Sequence, residues 1–217
     1  MLLRKIIICL TFIGLVSFTI TGNDWQIKKL DNDIAVYTRT PENSPLKELK
    51  AIGHVKTSLS SIVALLYDFE TYPKWVYKCG ASGTLKIVND TELIHYQTVL
   101  TPWPVDNRDF IVNIKITQDR KTKAVFIKSF AVGNYIAVNK EYVRVMKFEA
   151  SWLLKPEKDG TVEIAYQLSV DPAGAVPAWI VNMAIVDGPF ETMSNMKEWV
   201  FKEKYQKTKI KFIEEYN

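Results

Sequence analysis

The alternation of apolar and polar residues predicts strands along most of the chain. Over residues 161–170, Val162, Ile164, Tyr166 and Leu168 alternate mainly with polar side chains, which is the period-two pattern of a strand with one buried face. Short turn clusters such as Asn89-Asp90 separate most of the strand-like runs, so they predict an antiparallel sheet. The other runs occupy residues 25–30, 34–38, 46–57, 85–88, 91–100, 108–118, 124–132 and 142–154.

Two segments have helical periodicity instead. Ser58 begins the first, whose apolar positions recur at helical spacing until Tyr72-Pro73 ends it. The second runs from Val176 to about Lys207, and its apolar stripe consists of Trp179, Met183, Val186, Phe190, Met193, Met196 and Val200. This order of elements predicts an α+β fold. A curved antiparallel sheet would wrap around a long C-terminal helix and enclose an internal hydrophobic cavity.

The first 22 residues have the layout of a secretory signal peptide. Arg4 and Lys5 precede an apolar run over 6–16, and mostly small or hydroxylated residues follow it. We therefore expect residues 1–22 to be cleaved, residues 23–217 to form one domain, and the protein to be periplasmic or secreted. The alternative is a membrane anchor formed by residues 2–20.

Charge excludes one class of partner. The 28 basic and 24 acidic residues give a net charge of +4, which becomes +2 once Arg4 and Lys5 leave with the signal peptide. Such a balance, without a basic stripe interleaved with aromatic residues, does not suit a nucleic-acid-binding protein. We expect no nucleic-acid partner, and we expect a monomer.

Groups for catalysis or metal binding are few. The histidines are His54 and His95, and neither has a cysteine or carboxylate at ligand spacing in the sequence. Cys79 is the one cysteine outside the leader, and no phosphate-binding loop, dinucleotide fingerprint or nucleophile elbow is present. We therefore expect no catalytic residue, no bound metal and no cofactor.

Strand alternation and the helix stripe together predict the cavity wall. Arg108 and Arg144 fall on apolar strand faces, where they would either snorkel or form structural ion pairs, or else bind the polar head of a ligand. The candidate ligand-binding residues are Ile94, Tyr96, Trp103, Arg108, Phe110, Val112, Arg144, Met146, Phe148, Tyr166, Leu168, Trp179, Met183 and Val186.

The stretch TPWPVDNRDF, residues 101–110, predicts a gate beside this cavity. Pro102 and Pro104 stiffen the backbone around Trp103, whose ring suits a membrane interface. We expect Trp103 and the first turns of the last helix to form the gate and to contact membrane transiently. The alternative is that Trp103 packs against that helix as core. Gly188-Pro189 predicts a kink where the helix could hinge.

These elements resemble the START domain, the lipid-transfer domain related to steroidogenic acute regulatory protein. The resemblance rests on the order of elements, on the Trp-Pro loop leading into Arg108-Asp109-Phe110, and on DPAGAVPAWIVN at 171–182. It covers roughly residues 25–207. It implies a helix-grip fold with a tunnel that holds one lipid or other apolar molecule, and an entrance beside the last helix and loop 101–107.

Two features depart from the family pattern. Sterol-transfer members carry a further cavity arginine a few residues after the Arg-Asp-Phe triplet, whereas residues 110–116 offer only Lys115, on the outward face. A sterol held by that charge pair is therefore not expected. Most well-studied members are intracellular, whereas the leader of this chain predicts export.

Three functions are compatible with the pattern. The first is a non-enzymatic protein that binds, and transfers or sequesters, a lipid or other hydrophobic small molecule in a cavity gated by loop 101–107 and the C-terminal helix. The second is a helix-grip enzyme of the polyketide cyclase or dehydratase type, with Tyr96, Tyr142 or Tyr166 as general acid. The third is an interaction domain whose own side chains fill the cavity. The largely apolar inward faces favour the first.

Overall fold

The structure, a computed structural model, describes residues 24–41 and 47–216. The expected signal peptide, residues 1–22, lies outside these residues. The helices are α1 Leu59–Tyr67, α2 Ala178–Trp199 and α3 Glu203–Gln206, with a 3-10 helix at Phe69–Lys74. The strands are β1 Gln26–Asp31, β2 Ile34–Arg39, β3 Glu48–Lys56, β4 Cys79–Asn89, β5 Glu92–Val99, β6 Arg108–Gln118, β7 Val125–Ala131, β8 Val143–Arg144, β9 Lys147–Pro156 and β10 Thr161–Asp171.

The strands form one sheet in the order β1-β2-β3-β10-β9-β7-β6-β5-β4, and β8 pairs with β6. Neighbouring strands are antiparallel except for the short parallel pair of β6 and β8. This confirms the predicted α+β fold, in which a curved antiparallel sheet packs with a long C-terminal helix. In the part of the chain that the structure describes, no helix is long and apolar enough to span a membrane.

α1 begins where the sequence predicts. The Oγ of Ser58 accepts a hydrogen bond from the Ser61 backbone N–H at 3.0 Å, which caps the helix. The Glu215 carboxylate accepts from the N–H groups of Leu59 and Ser60 at 2.8 and 2.9 Å, so the C-terminal tail satisfies two further donors of the first turn. The helix ends at Tyr67, earlier than predicted, because the chain continues as the 3-10 helix.

α2 packs closely on the sheet through a glycine. A Cβ added at Gly53 of β3 would lie 2.8 Å from the Sδ of Met193, so the missing side chain lets helix and strand approach. Phe190, Met193 and Met196 of the predicted stripe are buried there. The helix ends at Trp199 rather than near Lys207, and α3 follows after a break.

The predicted strand over residues 142–154 is two strands. β8 pairs with β6, whereas β9 pairs with β7 and β10, so the chain changes neighbours at Val145-Met146. The period-two pattern does not continue across this break. As a consequence, Met146 does not share a face with Phe148 in the way that the alternation predicts.

Candidate functional site

A cavity of about 700 Å³ lies between the sheet and the first half of α2. This volume falls within the ~300–1,000 Å³ of pockets that hold one small molecule. The wall is mostly apolar and aromatic. It is built mainly from β5, β6, β9, β10, the 3-10 helix and α2.

The strands show that the cavity has two ends. β6 lines it with Arg108, Phe110, Val112 and Ile114, whereas the next residue on the same face, Ile116, belongs to the closed core. We call the end at Arg108 the mouth and the opposite end the inner end. Trp152 pairs with Ile127, and Ile127 pairs with Ile116, so Trp152 and its partner Tyr166 lie at the inner end.

Arg108 lies at the mouth and is 5% exposed. Its Nε donates to the Pro172 carbonyl at 3.2 Å, its Nη2 to the Ala173 carbonyl at 3.0 Å, and its Nη1 to the Asp106 carbonyl. Burial lowers the pKa of this guanidinium. The guanidinium is thus buried and bonded to backbone carbonyls rather than to a carboxylate, and the side chain joins β6 to the turn that precedes α2.

Arg144 is a structural ion-pair partner and does not line the cavity. Its Nε and Nη2 donate to the two carboxylate oxygens of Asp109, both at 2.8 Å, and both side chains are buried. The hydrogen bond to Asp109 raises the pKa of Arg144. Successive strand residues point to opposite faces, so Asp109 faces away from Arg108 and the cavity. The structure therefore contradicts the placement of Arg144 on the cavity wall.

The structure brings half of the candidate residues together. Arg108, Phe110, Val112, Phe148, Tyr166, Leu168 and Met183 line the cavity. The remaining candidates do not line it, namely Ile94, Tyr96, Trp103, Arg144, Met146, Trp179 and Val186. That any of these side chains binds a ligand stays a prediction.

The face assignment of β5 is wrong. His95, Gln97 and Val99 line the cavity, so Ile94 and Tyr96 point to the other side of the sheet. Two adjacent apolar residues, Leu93 and Ile94, are both buried, and the sequence pattern therefore does not show which of them faces inward.

Three further placements are corrected. Met146 follows the break between β8 and β9 and is 49% exposed. Trp179 lies in the first turn of α2 and is 57% exposed. Val186 packs against the core instead, whereas Ile180, Ala184 and Gly188 of α2 face the cavity.

Residues 101–107, which we call the mouth loop, form a compact turn at the mouth. The Thr101 Oγ1 donates to the Val105 and Asp106 carbonyls, both at 2.7 Å, and the Asn107 side chain accepts from the Thr101 N–H at 2.9 Å. Thr101 and Pro102 line the cavity, whereas Trp103 is 90% exposed. The alternative in which Trp103 packs against the last helix as core is therefore wrong.

Sequence reasoning missed the polar residues of the inner end. His95 is 3% exposed, its ring stacks on Phe69 at 4.1 Å, and its Nδ1 lies 3.1 Å from the Gly83 carbonyl oxygen. Burial lowers the pKa of His95 to about 4, so the ring is neutral at pH 7. Tyr72 comes from the 3-10 helix and Trp75 directly follows it, where the sequence predicts only a helix end.

The fold brings carboxylates close to His54 that are distant from it in sequence. His54, Glu157 and Glu163 come together on the outer side of the sheet, with potential ligand atoms within 4.8 Å of one another. Glu163 already has protein partners there, since it lies 3.9 Å from the ammonium group of Lys155 and 3.7 Å from the ring of His54. The absence of a bound metal stays a prediction.

Comparisons with known proteins agree with this architecture. Residues 17–207 match the START domain family. An uncharacterized protein of Pseudomonas aeruginosa is 28% identical over 196 residues, which cover 88% of this chain and 96% of that protein. The phosphatidylcholine transfer protein of Rattus norvegicus is 24% identical over 181 residues, covering 78% of this chain and 80% of that protein.

Solved structures show the same relationship. A fragment of the STAR-related lipid transfer protein from Xanthomonas axonopodis has 30% identity and a TM-score of 0.76, covering 84% of this chain and all of that fragment. The Zhui aromatase/cyclase from Streptomyces has 8% identity and a TM-score of 0.51 over 71% of this chain and 93% of that chain, which is a likeness of fold alone.

Proposed function

Because the chain belongs to the START domain family, we propose that it binds one lipid or similar hydrophobic molecule in the internal cavity and transfers or sequesters it. The observation that carries the proposal is the cavity itself, which has a volume of about 700 Å³ and a largely apolar wall. The cavity is lined by side chains such as Phe110, Val112 and Leu168. Transfer of an apolar molecule from water into a cavity of this size and lining is favourable. The size of this void also argues against a cavity filled by the protein's own side chains.

The mouth supports entry of a ligand from a membrane. Leu100 and Pro102 line the cavity on one side, and Ile180 and Ala184 of α2 line it on the other. We propose that these two segments separate to admit the ligand. The hydrogen bonds inside the mouth loop let it move as a unit, and Gly188-Pro189 offers a hinge within α2.

Trp103 and Trp179 are the basis for proposing transient membrane contact. Both are largely exposed, and both lie in segments that border the mouth. Tryptophan partitions into the headgroup region of a bilayer because its ring is apolar and its N–H is polar. The net charge of +4 on the full chain adds little to this apolar contribution.

We favour binding over catalysis because the proposed general acids do not suit the role. Tyr96 and Tyr142 do not line the cavity. Tyr166 does, but burial raises the pKa of its hydroxyl, which makes it a weaker acid. A general acid works best with a pKa near the operating pH, and this shift moves Tyr166 in the wrong direction.

We also propose that the protein is exported after cleavage near residue 22. The support is the sequence layout of the leader, a basic start followed by an apolar run. The alternative of an anchor over residues 2–20 differs in one measurable property. The N-terminal sequence of the protein purified from its native host begins near residue 23 after cleavage and near residue 1 if the segment is an anchor.

The binding function is tested by a transfer assay. Donor vesicles contain pyrene-labelled lipids of several headgroup classes, and acceptor vesicles contain none. The protein should raise the transfer rate of at least one class above the spontaneous rate. No acceleration for any class, together with no lipid retained by the protein after mixing, would contradict both transfer and sequestration.

A further inference from the structure

The polar side chains of the cavity wall are charged near the mouth and uncharged at the inner end. Arg108 lies at the mouth, and the Lys78 carbonyl accepts a hydrogen bond from the Leu100 N–H beside the mouth loop. Lys47 precedes β3, whose first residue pairs with Ser169, near the Pro172 end of β10. The charged side chains among the described lining residues are therefore these three, and they lie toward the mouth.

The inner end is polar but uncharged. Tyr72, His95 and Tyr166 line it. Burial raises the pKa values of Tyr72 and Tyr166 and lowers that of His95 to about 4. All three are neutral at pH 7, so a charged group brought to this end would find no charge of opposite sign.

Most of these inner groups already have protein partners. The Tyr72 hydroxyl donates to the Leu66 carbonyl at 2.5 Å. His95 Nδ1 is 3.1 Å from the Gly83 carbonyl, which can only accept, so the neutral ring carries its proton there, and its Nε2 lies 3.5 Å from the Gln97 side chain. The polar atoms of Tyr72 and His95 are therefore already hydrogen-bonded within the protein.

The Tyr166 hydroxyl differs from them. No residue in the described ranges lies within hydrogen-bonding distance of it, and it borders the cavity rather than being sealed in the core. Its ring is fixed by stacking on Trp152 at a centroid distance of 4.2 Å. A rigidly held hydroxyl facing an apolar cavity leaves a hydrogen bond unmade, which favours a ligand that completes it.

We infer, on the basis of the proposed binding function, that the Tyr166 hydroxyl determines specificity by donating a hydrogen bond to an uncharged oxygen at the leading end of the ligand. The class of ligand is an apolar molecule with a neutral alcohol, ketone or ester oxygen at the end that enters first. A charged group, where the ligand has one, stays at the mouth with Arg108 and Lys78.

The test uses three matched fluorescent probes: 1-pyrenemethanol, 1-methylpyrene and pyrene-1-carboxylate. They share one ring system and differ in a neutral hydroxyl, no oxygen, or a negative charge. Each is titrated into wild-type protein, Tyr166→Phe and Tyr37→Phe. Phenylalanine preserves the stacked ring at 166, and Tyr37 does not line the cavity, so Tyr37→Phe controls for the loss of a tyrosine hydroxyl elsewhere.

Tyr166→Phe should raise the dissociation constant of 1-pyrenemethanol about three- to tenfold, which corresponds to the loss of one neutral hydrogen bond. The dissociation constant of 1-methylpyrene should not change. The melting temperature of Tyr166→Phe should match that of wild type, because no protein partner is lost. Tyr37→Phe should leave all three dissociation constants unchanged, and Tyr166→Phe should leave that of the carboxylate unchanged, because its charged group stays at the mouth.

Two results would overturn the inference while leaving the binding function intact. One is that Tyr166→Phe loses affinity equally for the alcohol and the hydrocarbon, or loses affinity for neither. The other is a loss of affinity for the carboxylate as large as that for the alcohol, which would place a charged group beside Tyr166. If none of the probes bound wild type, the proposed binding function would fail as well.

Discussion

Arg108 and Asp109 are adjacent in sequence but stabilise two different loops, because neighbouring strand residues face opposite sides of a sheet. Arg108 holds the turn at Pro172-Ala173 on the cavity side. Asp109 holds Arg144, whose guanidinium also donates to the Gly133 carbonyl in the loop between β7 and β8, on the outer side. The pair therefore organises the start of β6, next to the mouth loop.

Replacing Arg108 should affect the fold more than the affinity. Arg108→Leu removes three hydrogen bonds from a charged donor and leaves buried carbonyls unpaired, so we expect the free energy of unfolding to fall by about 2–4 kcal/mol. Urea denaturation measures this, and Arg120→Leu, at an exposed turn, is the matched control. A variant that unfolds like wild type yet loses its ligand would show that Arg108 acts mainly as a ligand contact.

His95 should make stability depend on pH. Its folded-state pKa of about 4 lies below the ordinary 6.5, so the unfolded chain binds a proton between those values that the folded protein does not. Stability should fall as the pH drops from 6.5 to 4, by about 3 kcal/mol in all at ~1.4 kcal/mol per pH unit.

The comparison of His95→Gln with the surface variant His54→Gln isolates this contribution. Unfolding free energies measured across that pH range should decline less steeply for His95→Gln than for wild type. His54→Gln leaves the buried imidazole of His95 in place and should therefore retain the decline between pH 6.5 and 4. Parallel curves for wild type and His95→Gln would contradict a buried neutral imidazole.

At this scale the sequence predicts less than the structure contains. Alternation correctly places Arg108 and Tyr166 on the cavity side, since each sits in a strand with one clear apolar face. It cannot predict that Asp109 pairs with Arg144, 35 residues away, because that pairing depends on how β8 docks on β6. The unpartnered state of the Tyr166 hydroxyl likewise depends on which side chains the fold places around it.

Among the elements, the contact between α2 and β3 depends on Gly53. A methyl group at Gly53 would meet the Sδ of Met193, which is itself buried and has little room to move. Gly53→Ala should lower the free energy of unfolding by about 1–3 kcal/mol through overpacking. Gly83→Ala, also in a strand but with open space around it, should change stability by less than about 0.5 kcal/mol.

Thermal and urea denaturation measure the stability of both glycine variants. Both variants replace a strand glycine by alanine, so a difference between them reports the packing of the added methyl group. Equal stabilities for Gly53→Ala and Gly83→Ala would mean that α2 does not rest closely on β3.

The mouth loop should matter for exchange rather than for stability. Trp103→Ala should slow lipid transfer between vesicles and leave the melting temperature nearly unchanged, because the side chain makes little contact with the folded protein. Phe201→Ala removes another exposed aromatic residue just beyond the far end of α2 and serves as the control. Unchanged transfer in Trp103→Ala, or an equal slowing in Phe201→Ala, would contradict a specific role at the mouth.

Element boundaries were predictable where alternation is clean and turn residues are clear. β6 begins and ends as predicted, at Arg108 and Gln118, and the Asn32-Asp33 turn between β1 and β2 has the positive φ values that such residues tolerate. The face of β5 was not predictable, because Leu93 and Ile94 are both apolar. The break at Val145-Met146 also left no mark in the hydrophobic pattern.

For the whole molecule, the cavity results from incomplete contact between helix and sheet. The second half of α2 packs on β3 through Met193, whereas Ile180, Ala184 and Gly188 in the first half face the cavity. At the inner end Leu154, Ile164 and the apolar face of α1 close the core. Sequence patterns predict that such a fold has room for a cavity, but not its volume, which depends on sheet curvature and on where α2 settles.

Native mass spectrometry of the purified protein, followed by lipid extraction, tests the central claim most directly. We predict one apolar molecule per chain in wild type, lost in Ala150→Phe, which fills the cavity, and kept in Ala165→Phe, which lies on the same sheet outside the cavity wall. Both variants should first be shown to melt cooperatively. A wild-type protein that carries no apolar molecule and takes none from vesicles, or a ligand that Ala150→Phe retains fully, would contradict binding in this cavity.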